Sequence, residues 1–152
     1  MDAASELYPE PIPVYRELHE PRDFLEPARG KGLEHFAKIK PRELRALGIA
    51  PKSDVVAVTG KIKQKIAARN ITLGIARLVV EQWDYQRRSH RRERSVERYK
   101  FIEGKWYMTV VFVPDRKDKH PHNSLASVYQ RNTKDVEDWI VEGKLWGREI
   151  EK

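Results

Sequence analysis

The chain has no cysteine, which excludes disulfide cross-links and thiolate zinc centres. It also lacks any apolar run near the roughly 20 residues that a membrane-spanning helix needs, so no membrane span is expected. The opening Met1-Asp2-Ala3-Ala4-Ser5-Glu6 shows neither a basic nor an apolar signal region, and secretion by a signal peptide is not indicated. There is no phosphate-cradling glycine loop, no nucleophile elbow and no Cys/His pair. No catalytic residue, metal or cofactor is therefore expected. Asparagine and glutamine are scarce, a composition that with the missing cysteine suits a thermophile.

What the sequence does have is positive charge. Thirty Lys and Arg oppose 23 Asp and Glu, for a formal charge of +7 and a pI near 9.6. Such an excess favours a polyanionic partner. Its densest part is Gln86–Lys100, where Arg87, Arg88, Arg91, Arg92, Arg94, Arg98 and Lys100 meet only Glu93 and Glu97.

The periodicity predicts a mainly α fold: amphipathic helices over about 31–48, 53–98 and 133–143. In the first, Leu33, Phe36, Ala37 and Ile39 recur at helical spacing, and Pro41 can open a second short helix closed by Gly48. In the second, Val55, Val58, Ile62 and Ile66 are spaced three or four apart, and the pattern resumes at Ile71, Ile75, Leu78 and Val79. A break near Arg69-Asn70 and a short strand at 55–58 are the alternatives there. Residues 99–113 read as a β-hairpin turning at Glu103-Gly104, apolar on both sides and so needing cover on both. The third helix opens at Thr133 and stops at Gly143. Residues 1–29, with Pro9, Pro11, Pro13, Pro21 and Pro27, read as an extended arm, which leaves 30–152 as a single helix-rich nucleic-acid-binding domain.

If 53–98 is helical, Arg87, Arg91, Arg94 and Arg98 share one face, with Arg88 and Arg92 beside them. Lys61, Lys65 and Arg69 form a second stripe opposite Ile62 and Ile66. Guanidinium groups in such a row can track successive phosphates, each donating two hydrogen bonds. The bland alternative is a solvated face paired with Glu81, Asp84, Glu93 and Glu97. The phosphate partner expected is double-stranded DNA, gripped without sequence being read. The tryptophans Trp83, Trp106, Trp139 and Trp146 read as core or interface anchors, and Tyr85 as the better stacking candidate.

Two further patterns bear on chemistry. His120-Pro121-His122, with Asp115 and Asp118 near in sequence, has no geometry defined enough for a metal site. Pro114-Asp115 with Glu142-Gly143-Lys144 formally resembles the Pro-Asp … Glu-x-Lys pattern of the restriction-endonuclease-like superfamily, which implies a metal-dependent nuclease. A site-specific basic regulator is the other alternative.

The proline-punctuated arm, amphipathic cationic helices over about 30–100 and aromatic C-terminal region are similar in architecture and composition to the major capsid proteins of filamentous viruses of hyperthermophilic archaea. That resemblance implies a structural protein in a virion, or in the cytoplasm before assembly. It also implies helical self-assembly or pairing with a paralogous subunit, and a DNA-facing set made of Lys61, Lys65, Arg69, Arg87, Arg88, Arg91, Arg92, Arg94 and Arg98.

Overall fold

A computed structural model describes residues 26–27 and 33–148. Along the chain run β1 (Glu26–Pro27), β2 (Leu33–Lys38), α1 (Pro41–Arg45), β3 (Val55–Thr59), α2 (Gly60–Ala68), α3 (Leu73–Glu81) and β4 (Tyr85–Arg88). They are followed by β5 (Ser95–Ile102), β6 (Lys105–Phe112), β7 (Asn123–Arg131), α4 (Thr133–Val141) and β8 (Trp146–Gly147). The strands form one sheet in the order β1-β2-β3-β7-β6-β5-β4-β8. Every neighbouring pair is antiparallel except β3 and β7, which run parallel through Val56↔Asn123 and Ala57↔Ser124.

The expectation of a mainly α chain is overturned. Within 31–48, the spacing Leu33, Phe36, Ala37 lies on strand β2, bulged between His35 and Ala37, and only Pro41–Arg45 is helical. The single long element over 53–98 is instead a strand, two helices, another strand and the start of β5. Local chemistry accounts for the breaks. Val55-Val56-Ala57-Val58 is rich in branched side chains that suit a pleated surface. The Thr59 and Thr72 side chains accept from the Ile62 and Ile75 amides, so each threonine starts a new helix. Asn70 adopts φ 57°, a left-handed conformation that asparagine tolerates, just beyond α2. The 30–152 region is accordingly sheet-centred, not helix-rich, and the arm at 1–29 lies outside the described residues apart from β1.

The hairpin is longer than its sequence signal, since β5 pairs with β6 from Ser95↔Phe112 to Ile102↔Lys105. Its turn places Glu103 at φ 49° and Gly104 at φ 81°, the pair of positive angles that matches the twist of the flanking strands. A helix does occupy Thr133–Val141, although Asn132 is the cap, accepting from the Asp135 amide.

Both sheet faces are covered. On one, α3 buries Leu73, Gly74, Ile75, Ala76, Leu78, Val79 and Val80 against Phe36, Val56, Val58, Val96, Val111 and Val128. Each fully buried aliphatic side chain there contributes about 1.5–3 kcal/mol. On the other, Val136 of α4 and Leu145 close over Tyr99, Trp106 and Met108.

Candidate nucleic-acid interface

The register Ser95↔Phe112↔Ser124↔Ala57 forms one row across β5, β6, β7 and β3. It follows that the β4–β5 turn, the β6–β7 loop and the segment entering β3 all leave the sheet at the same end. Arg94 ties them together. Its Nε donates to the Val113 carbonyl (2.9 Å) and its Nη2 to the Ala50 carbonyl (2.9 Å). Lys52 Nζ donates to the Asp118 carbonyl at 2.5 Å. The Asp115 carboxylate accepts from the Lys117 and Asp118 amides, and Asp118 from the His120 amide, local turns that order the loop.

The result is a cluster of exposed cations. Arg88 ends β4, Arg91 and Arg92 stand on the turn that follows, and Arg116, Lys117 and Lys119 on the neighbouring loop. No ion pair among the described residues engages any of the six. Over the three connections (46–54, 89–94 and 113–122) and Arg88, eight Lys and Arg face four Asp and Glu.

The arginine stripe expected on one helix face is divided among four environments, because the segment is strand, turn and strand. Arg91 is in solvent, and Arg94 is the structural tie just described, held at φ 59°. Arg87 points to the α4 side of β4, where its Nε meets Glu97 Oε1 at 2.8 Å and its guanidinium lies 4.9 Å from the Trp139 ring centroid. Arg98 is wholly buried on the opposite side and cannot touch a phosphate. Two of the acidic residues of the solvated-face alternative do pair locally, Glu97 with Arg87 and Asp84 with Lys100. The stripe Lys61, Lys65, Arg69 is exposed on α2 and its C-terminal cap, but α2 begins at the other end of β3 from the loop cluster. Arg69 is further committed, donating to the Val128 carbonyl and lying 4.3 Å from the Tyr129 ring centroid.

The buried Arg98 organises a network. Its Nη1 donates to the Val80 carbonyl at 2.5 Å and its Nε to Gln86 Oε1 at 3.1 Å. Val80 lies in the last turn of α3, where orphan carbonyls and the helix dipole favour a cation. Nη2 lies 3.6 Å from Glu43 Oε1, and Trp83 Nε1 donates to that same oxygen. Arg148 approaches the other Glu43 oxygen at 3.7 Å. Burial pulls the Arg98 guanidinium down to about 10, with Glu43 opposing that fall.

No family model, curated protein or solved structure matches this chain.

The nuclease pattern is not assembled as that superfamily requires. Asp115 is spent on the turn amides of its own loop, and Glu142 caps the end of α4 instead of lying on a strand beside β6. Its carboxylate is 2.7 Å from Lys144 in an exposed pair. His122 stands against His35, Nε2 to Nε2 at 3.4 Å, while His120 is exposed. No group of three or more His, Asp or Glu among the described residues could hold a metal ion. Among the described residues, too, no helix is long and apolar enough to cross a membrane.

Arg116, Lys117 and Lys119 belong to the surface although nothing in their own spacing marks them as site residues. The spacing of Asp115 and Asp118, each followed by residues whose amides it can accept, was the available sign of an ordered loop. Nor does the sequence mark Trp146 as 63% exposed, unlike the buried Trp83 and Trp106.

Proposed function

We propose that this protein binds nucleic acid through its phosphates at the loop end of the sheet, without reading sequence. The observation that carries this is the convergence of Arg88, Arg91, Arg92, Arg116, Lys117 and Lys119 on one surface, with no carboxylate among the described residues paired to them. Each phosphate they neutralise releases counterions, and guanidinium groups donate bidentately to phosphate oxygens. The likeness to filamentous-virus capsid proteins is one of architecture and composition, and a sheet replaces its helical part.

The test is fluorescence anisotropy with a labelled duplex over about 50–200 mM salt, where the slope of log affinity against log salt is about −0.9 per phosphate neutralised. Replacing Arg91, Arg92, Arg116 and Lys117 together by Ser should flatten that slope by about 2–4 and weaken binding, with the melting temperature unchanged. Equal affinity and slope for the two proteins would overturn the proposal.

A further inference from the structure

Trp146 projects from β8 between two hollows. One, about 300 Å³, lies between α1 and β4 and is lined by Arg42, Glu43, Trp83, Gln86, Trp146 and Arg148. The other, about 280 Å³, holds Arg87, Arg88, His90 and Lys144. Ala46, Leu47 and Trp146 line both, so together they form one groove with an indole at its middle.

The chemistry of the two halves differs. In the first, the exposed Trp146 indole offers a flat apolar wall and Glu43 offers a carboxylate, while the buried Trp83 ring is covered by the Arg98 and Arg148 guanidinium groups at 5.0 and 5.6 Å. That carboxylate is fixed by Trp83 Nε1 at 3.2 Å and flanked by Arg98 and Arg148 at 3.6 and 3.7 Å. A planar heterocycle with amine or ring N–H donors suits such a wall and acceptor. In the second, the side chains are basic, and among the described residues Arg88 and His90 carry no ion pair, Arg88 donating only a long bond to the Leu47 carbonyl at 3.4 Å. Arg87 is held by Glu97 and Lys144 by the half-exposed Glu142, an exposed pair of little energetic weight. That half suits an anion.

The geometry points to an unpaired nucleotide of a single-stranded nucleic acid as the occupant, its base against Trp146 beside Glu43 and its phosphate among Arg88, His90 and Lys144. Three observations support that occupant over an apolar peptide or a second copy of the chain. The groove pairs aromatic walls with a cationic hollow, which is the complement of a base joined to a phosphate. It is continuous with the loop-end surface, since Arg88 ends β4 and His90 belongs to the β4–β5 turn. The exposed ring presents a stacking face that a paired base, already stacked on both sides, cannot meet. The inference rests on the phosphate-binding function proposed above and adds a strand preference to it.

The experiment uses the full chain with a labelled single-stranded oligonucleotide and a hairpin duplex of equal phosphate number. The wild type should prefer the single strand by about tenfold or more, the scale of one base–aromatic stack. Trp146→Ala should remove that preference while leaving duplex affinity and its salt slope unchanged, and Trp146→Phe should restore most of it. A single-strand preference that survives Trp146→Ala, or no preference in the wild type, overturns the groove assignment and leaves the phosphate surface standing. Absence of binding to either oligonucleotide overturns both.

Discussion

At Arg91 and Arg92 the side chains are exposed at the end of the sheet, Arg92 with its guanidinium 5.5 Å from the Phe112 ring centroid, whereas at Arg98, in the same basic run, the guanidinium is enclosed between sheet and helix. The first two are free to exchange water and counterions for phosphate. The third has already exchanged water for the Val80 carbonyl, Gln86 and Glu43. Density of positive charge along a sequence thus says little about where the charge goes. Place relative to the strand ends decides: Arg91 and Arg92 lie in the turn beyond the sheet, whereas Arg98 lies on β5, where alternate residues leave on opposite faces. Arg94, between the two regions, belongs with Arg98 in kind: its donors serve the protein's own carbonyls.

Substitutions can sharpen this contrast. The largest effect is expected at Arg98, where Arg98→Ala leaves Glu43 without its buried partner and should cost about 3–5 kcal/mol in urea denaturation. Adding Glu43→Leu to Arg98→Leu should recover much of the loss, since an apolar pair avoids the desolvation of both ions. A loss no greater than that of Arg91→Ala would erase the distinction. Arg94→Ala comes next, at about 1–3 kcal/mol for the abandoned loop carbonyls. Arg94→Gly should cost less than Arg94→Ala at this φ of 59°, because glycine adopts such angles freely; the order of the two denaturation midpoints checks it.

The smallest effect concerns the other face. Tyr99 donates to Glu97 Oε1 at 2.5 Å, and burial, then that hydrogen bond, raises its hydroxyl above the ordinary tyrosine range. The folded chain therefore holds this proton after the unfolded chain has lost it. Stability from this group is full below the unfolded value of about 10 and is lost as pH rises beyond it. Tyr99→Phe should cost about 1 kcal/mol at neutral pH. It should also lose less stability than the wild type between about pH 9 and 11, a difference measurable by denaturation at both pH values.

How far the sequence discloses this fold varies by element. Lys105–Phe112 alternates without interruption and follows a two-residue turn, so hairpin, turn and two-sided cover can be read from it. Thr133–Val141 likewise has a single period. The run Gln86–Lys100 is ambiguous in a physical sense, because arginines spaced four, three and four apart fit a helix face as well as a strand–turn–strand. What resolves it is pairing with β6 and β8, residues remote in sequence. Leu33–Lys38 deceives similarly, its bulge displacing Ala37 so that apolar neighbours mimic a helical repeat. For the candidate site, Arg88, Arg91 and Arg92 are legible as basic residues. Their union with Arg116, Lys117 and Lys119 is not, since it depends on which strand ends coincide.

The parallel seam between β3 and β7 has only two paired positions, reinforced by Asn123 Nδ2 donating to the Ser53 and Val55 carbonyls at 2.8 and 3.0 Å. Strands β4 to β7 follow one another as a meander, and β2 and β3 are separated by one short helix, so each half closes over modest loops. Joining the halves requires the chain to close across both helices and the whole meander, the step of greatest loop entropy. On that loop-entropy argument the seam is expected to close last, and the amide of Asn123 is the clasp that holds it shut.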